Sequence, residues 1–96
     1  MDKDEVIALL KAHEAELREL RVAALYIFGS VARGEAGPDS DVDLLVDFSR
    51  PIGLFHFLEV KERLEDMLGC DVDLVTRGGL RPEHADQVLD EALRAA

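Results

Sequence analysis

The stretch Gly29-Ser30-Val31-Ala32-Arg33-Gly34 is followed, after five residues, by Ser40-Asp41-Val42-Asp43-Leu44, and these are residue types from which phosphate chemistry is built. Gly29 lacks a Cβ, so a ligand can come close to its backbone. Ser30 offers a hydroxyl, and the N–H groups at the start of a helical turn can hold phosphate oxygens. Asp41 and Asp43 stand two apart, so on a strand both carboxylates point to one face. Two carboxylates side by side repel unless a cation is shared between them. Hard oxygen ligands in that arrangement suit Mg²⁺ or Mn²⁺. A third carboxylate, Asp73, lies inside the otherwise apolar run Val72-Asp73-Leu74-Val75. A charge there is expensive without a partner. Beside Asp41 and Asp43 it completes a three-carboxylate cluster able to hold two ions, the arrangement that stabilises both the attacking and the leaving oxygen of an in-line displacement.

These groups serve one site only if particular elements bring them together. Ala24-Leu25-Tyr26-Ile27-Phe28 is short, aliphatic and aromatic, and reads as a buried strand ending at the Gly29-Ser30 turn. Ser30 to Arg33 fits one helical turn before Gly34. Glu35 to Ser40, with Gly37-Pro38 and Asp39-Ser40, reads as a loop. A second strand, Val42 to Phe48, begins at the carboxylates, so the two strands must lie side by side and antiparallel. A third strand covers Asp71 to Thr76 and brings in Asp73. Helices flank them. The first runs through Val6, Leu9, Leu10, His13, Leu17 and Leu20 at i, i+3, i+4, i+7 spacing, with Asp2 and Glu5 resembling a capping box. A second covers Leu54 to Leu68 with Phe57, Val60, Leu64, Met67 and Leu68 on one stripe and Gly69 as its terminator. Arg77-Gly78-Gly79 is a turn. A last helix starts near Pro82, with Ala85, Val88, Leu89 and Ala92 as its apolar stripe. The order α-β-turn-β-α-β-α predicts an α+β fold: a small mixed three-stranded sheet flanked by helices.

Composition excludes several function classes. The chain has 96 residues, 48% of them apolar and 33% charged, which fits one globular domain over residues 1–96. Eleven Lys and Arg against twenty-one Asp and Glu give a net charge of −10. Such a chain repels phosphate backbones and anionic membranes, so direct nucleic-acid or membrane binding is not expected. A phosphate-bearing substrate is compatible with it when divalent cations intervene. Cys70 is the one cysteine and makes no intramolecular disulfide. The start, Met1-Asp2-Lys3-Asp4-Glu5, is acidic where a signal peptide is basic, which points to the cytoplasm.

Other reactive side chains have plainer readings. His13 sits on the stripe of the first helix and reads as a partly buried packing residue, while His56 and His84, near helix starts, read as surface residues. No two histidines have metal-ligand spacing. Cys70 adjoins a strand and reads as a small packing residue. Tyr26 reads as core. Arg33 suits either a phosphate contact or a brace of its loop through Asp39 or a carbonyl. No Gly-x-x-x-x-Gly-Lys run is present, so P-loop chemistry has no support.

The pattern Gly-Ser, two residues, Arg-Gly, five residues, Ser-Asp, one residue, Asp-Leu resembles the signature of the nucleotidyltransferase superfamily with the polymerase-beta-type fold. The small size and the tail Val72-Asp73-Leu74-Val75-Thr76-Arg77, then Leu80-Arg81-Pro82-Glu83, resemble its minimal (MNT) members. The resemblance implies transfer of AMP from ATP to an acceptor hydroxyl. It implies metal binding by Asp41 and Asp43, metal binding and acceptor activation by Asp73, and triphosphate binding by Gly29 and Ser30, with two Mg²⁺ ions and Mn²⁺ as the alternative. It implies a HEPN-family toxin as partner, with this chain as the antitoxin that attaches AMP to a tyrosine of the toxin. Self-association stays open. Two alternatives stand beside this reading: a non-catalytic antitoxin that neutralises by binding alone, and a small-molecule nucleotidyltransferase. The latter is disfavoured because no second domain is available to bind a small acceptor.

Overall fold

Strand β2, Val42–Phe48, alternates between two fates, and the architecture follows from it. Val42, Leu44 and Val46 are essentially fully buried. The intervening residues, Asp43, Leu45 and Asp47, point to the opposite face. In the computed structural model, which describes residues 1–37 and 41–96, β2 is flanked by β1 (Val22–Phe28) and β3 (Val72–Thr76). The β1–β2 pair is antiparallel, with Ile27 opposite Leu44 and Phe28 opposite Asp43. The β2–β3 pair is parallel, with Asp43 beside Asp73 and Leu44 beside Leu74. Both the predicted adjacency of the first two strands and the mixed sheet are therefore present.

One face of the sheet packs against helices. Leu25, Ile27, Val42, Leu44, Val46 and Leu74 join Val6 and Leu10 of α1 (Lys3–Ala12), Leu17 of α2 (Glu14–Glu19), and Val60, Leu64 and Leu68 of α4 (Leu54–Leu68) in one core. The stripe expected on α4 is the face it buries, and Gly69 ends that helix in the left-handed conformation at φ 69°. Asp2 caps α1 by accepting from the Glu5 N–H at 2.9 Å. Between β1 and β2 lies the short helix α3, Gly29–Arg33. After β3 a 3₁₀ turn, Arg77–Gly79, leads to α5, Pro82–Glu91. Val88 of α5 and Leu45 of β2 are buried outside the main core.

Four expectations need correction. Among the described residues the sheet has four strands, not three, in the order β3-β2-β1-β4. The added strand, β4 (Leu93–Arg94), pairs antiparallel with β1 through Ile27↔Leu93 and Tyr26↔Arg94. The first helix is two helices, broken at His13, whose ring N–H donates to the Leu9 carbonyl at 2.8 Å. His56 is half-buried rather than on the surface: its Nε2–H donates to the Leu20 carbonyl at 2.6 Å, and its ring packs edge-on against Phe48. Tyr26 is half-buried on the face away from the main core, with the Arg77 and Arg94 guanidinium groups 5.2 and 5.7 Å from its ring centroid. The other plain readings agree with the structure, with Cys70 packed against the core and His84 exposed. The expected loop is neither helix nor strand over residues 35–37; Pro38, Asp39 and Ser40 lie outside the described residues. Among the described residues no helix is long and apolar enough to cross a membrane.

Candidate active site

The register of the three long strands gathers the expected residues at one end of the sheet. Asp43 occupies the central strand, opposite Phe28 on one side and beside Asp73 on the other. Gly29 follows Phe28 directly, so the chain turns immediately over Asp43. The turn is tight. Gly29 has φ +72°, and a Cβ there would run into Asp43 Oδ2 and stand 3.0 Å from its Cγ. The glycine is thus required twice, by its left-handed backbone and by the carboxylate packed against it. The approach that glycine permits here is that of Asp43 itself.

The electrostatics of the cluster are uneven. Asp43 is half-buried, whereas Asp41 and Asp73 are exposed. Burial raises the Asp43 carboxyl above its ordinary range; the negative charges of Asp73 and Asp41 raise it further, and the positive charge of Arg33 opposes them. Asp73 lies directly beside Asp43 in the parallel register, and both it and Asp41 act on Asp43 through their charge. Among the described residues no three His, Cys, Asp or Glu side chains converge closely enough to hold an ion as they stand. The structure therefore draws together a pair, Asp43 and Asp73, with Asp41 in electrostatic range. It does not draw together the compact triad. An excess of negative charge on hard oxygen donors is the condition that a divalent cation relieves, so the donor set fits one.

Arg33 and Glu91 complete the surroundings. The Arg33 Nε donates to Glu35 Oε2 at 3.0 Å, and its Nη1 donates to both Glu91 oxygens at 3.1 Å. Glu35 first, and then Glu91, hold the guanidinium more firmly protonated. Arg33 thus braces its loop, with Glu35 and Glu91 as the partners; the expected partner Asp39 lies outside the described residues. Glu91 also accepts from the Gly29 N–H at 3.0 Å, across 62 residues of chain. That backbone amide is therefore occupied; Ser30, the next residue, is half-buried in the same turn. Glu91 was not legible from sequence, because a lone glutamate on an acidic helix looks like an ordinary solvated face.

Comparison with known proteins places this geometry in context. Residues 10–95 match the family described as "Nucleotidyltransferase domain". The chain is 46% identical over 91 residues to the protein adenylyltransferase MntA of Thermococcus cleftensis, covering 94% of this chain and 92% of that protein. A solved protein assigned as a minimal nucleotidyltransferase superposes with a TM-score of 0.81 at 41% identity, over 97% of this chain and 95% of its own. A Shewanella oneidensis structure, a tri-AMPylated HEPN toxin in complex with an MNT antitoxin, shares the fold with a TM-score of 0.60 at 21% identity, over 90% of this chain and 71% of that one.

Proposed function

This chain belongs to the nucleotidyltransferase domain family, and from that premise we propose that it is a metal-dependent protein adenylyltransferase that moves AMP from ATP to a hydroxyl of a HEPN-family toxin, acting as the antitoxin of the pair. The observation that carries the reading is the pairing of Asp43 with Asp73, packed under the Gly29 turn, in a chain 46% identical to a protein adenylyltransferase. In the proposed reaction the acceptor oxygen bonds to the α-phosphorus of ATP. The bond from that phosphorus to the bridging oxygen breaks, and pyrophosphate leaves. The acceptor's proton passes to Asp73, the more exposed of the paired carboxylates. Asp43 and Asp73, with Asp41 alongside, would hold Mg²⁺ or Mn²⁺, which neutralises charge on the phosphate oxygens. Ser30 binds the triphosphate, and Gly29 keeps the turn close to Asp43. Arg33 braces that turn.

Two of the site's carboxylates, Asp41 and Asp73, are exposed, and that exposure supports a macromolecular acceptor. A reacting hydroxyl must be held in place, and a protein acceptor brings its own rigid surface to do so. A charge of −10 suits a basic partner, because complementary charge steers encounter. AMP on a tyrosine near an RNA-cutting site would add negative charge and repel the RNA backbone. We place the whole process in the cytoplasm, with residues 1–96 as one minimal domain. The test is co-expression with the HEPN protein followed by intact-mass measurement. The mass of AMP should appear on the partner with the wild-type chain and be absent with Asp43→Asn. Neutralisation of the toxin with no added mass would favour masking by binding alone.

A further inference from the structure

The carboxylate of Glu91 does more than pair with an arginine. It accepts from the backbone N–H of Gly29 at 3.0 Å and from Arg33 Nη1 at 3.1 Å through each oxygen. Gly29 and Arg33 are the first and last residues of α3, so one side chain grips both ends of that turn. Arg33 already has Glu35, so a counter-ion alone would not require Glu91. An exposed ion pair would also contribute little. The two glutamates differ: the Glu35 side chain is 64% exposed and that of Glu91 21%.

We propose that Glu91 is a positioning residue for the adenylyl transfer: it holds the Gly29 turn down on Asp43 and so fixes the carboxylate on which the site depends. This rests on the reading of Asp43 given above. The linkage is a short series of contacts. On one side Gly29 is tied by its N–H to Glu91; on the other, its Cα faces the Asp43 carboxylate with no room for even a methyl group. A shift of Gly29 therefore moves Asp43 or opens a gap beside it. Glu91 is itself well placed to resist such a shift. It is the last residue of α5, and the chain runs straight on into β4, which pairs with β1 at Tyr26 and Ile27. Ala95 donates its N–H to the Leu25 carbonyl at 2.8 Å, and Leu25 donates to the Ala96 carbonyl at 3.1 Å. β1 is the strand that ends at Gly29. Gly29 follows β1 and Glu91 precedes the strand paired to β1, so both partners of the contact are tied to that strand, and the fourth strand acquires a purpose: it delivers Glu91 to the turn.

The experiment compares the wild-type chain, Glu91→Gln and Glu91→Ala. Glu91→Gln keeps an oxygen for the Gly29 N–H; Glu91→Ala does not. Transfer kinetics are measured with ATP, Mg²⁺ and the HEPN partner, together with Tm and the backbone and carboxyl NMR shifts of Gly29 and Asp43 at one pH. Glu91→Ala should lower kcat by ~10-fold or more, since small misplacements at a reacting centre cost up to ~10²-fold. KM for ATP should change far less. Glu91→Gln should recover most of the rate, and the Gly29 and Asp43 signals should move together in Glu91→Ala and stay near wild type in Glu91→Gln. A Glu91→Ala protein with wild-type kcat would overturn the proposal. So would Gln and Ala variants impaired equally and in proportion to lost Tm, which describes a stability role only. If the wild-type chain transfers no AMP to any acceptor, the functional reading fails on its own. The NMR comparison then still decides the positioning claim: an Asp43 signal unmoved by Glu91→Ala would overturn it, and one that moves with Gly29 would uphold it. If Glu91→Ala does not fold, Glu91→Asp replaces it, being too short to reach Gly29 from the same backbone position.

Discussion

The two faces of β2 are built from one backbone and behave as different materials. Toward the helices, Val42, Leu44 and Val46 belong to one cluster of buried apolar side chains, and the packing is that of an ordinary core. Toward the other side the same strand presents Asp43, Leu45 and Asp47, and the two aspartates differ in turn. Asp47 accepts two parallel hydrogen bonds from Arg77, at 2.9 and 3.1 Å, and that guanidinium stacks over Tyr26. Asp43 faces another carboxylate. A glutamate from the helical layer sharpens the contrast. Glu65 of α4 accepts from the Val72 N–H at 3.1 Å, which holds its carboxyl below the ordinary range, with Lys61 helping. Asp43 is displaced the other way, by burial and by Asp73 and Asp41. Both carboxylates flank the start of β3. One is satisfied by it and stabilises the fold; the other is left with excess charge. Matched charge marks the scaffold, and unmatched charge marks the place where a charged substrate and its cation would be welcome.

The largest effects should come from breaking that division within the polar face. Asp73→Asn removes the proposed proton acceptor, and transfer to the partner should fall by ~10²–10⁴-fold. Asp43→Asn should abolish detectable transfer. Asp47→Asn, on the same face and only four residues beyond Asp43, should leave the rate near wild type, because Asp47 serves Arg77 and not the reaction. Steady-state transfer measured by intact mass reads all three. A large loss at Asp47, or none at Asp43, would erase the distinction between the two aspartates.

The next effect belongs to the apolar face and appears in stability. Leu44 is fully buried at the centre of the core. Leu44→Ala should cost about 2–5 kcal/mol, the usual range when a buried leucine leaves a cavity. Urea unfolding of the wild type and the variant measures it. For a domain of this size such a loss is a large share of the total. A change below about 1 kcal/mol would mean that the helical face is less tightly packed than its burial indicates.

Much of this division could be read from the chain. The alternation across residues 42–48, the stripe on α4, Gly69 as terminator and Asp2 as cap are local patterns, and each corresponds to an observed element. The side-by-side placement of Asp43 and Asp73 followed from requiring one site to be served by three strands. What escaped was decided by distant partners. β4 is two residues long, too short for any periodicity, and exists because β1 has an edge to pair with. The apolar spacing from Val6 to Leu20 continues across His13, so nothing in it marks the break. Strand composition alone predicts Tyr26 as core, while alternation with the buried Leu25 and Ile27 puts it on the other face. The link from Glu91 to Gly29 joins residues 62 apart and has no local signature at all.

The smallest effect is also the most direct comparison of the two faces, because it sets one carboxylate against the other as pH changes. Glu65 has a lowered carboxyl pKa in the folded chain. Its contribution is therefore present above the ordinary glutamate value of ~4.3 and is lost as pH falls through the lowered one. Asp43 has a raised carboxyl pKa. Its contribution is present below the ordinary aspartate value of ~3.9 and is lost as pH rises through the raised one, so at neutral pH its charge works against folding. In metal-free buffer, Glu65→Gln should be less stable than wild type at neutral pH by about 1 kcal/mol, because a neutral amide oxygen replaces a charged acceptor of the Val72 N–H. Asp43→Asn should be more stable. Both gaps should narrow on acidification: the Glu65 gap closes as pH falls through the lowered glutamate value, and the Asp43 gap is gone below ~3.9. Urea midpoints at a series of pH values, read for the wild type and both variants, test the signs. If Asp43→Asn were the less stable protein at neutral pH with chelator present, the Asp43 charge would have to be matched within the fold, and the contrast between the two faces would disappear.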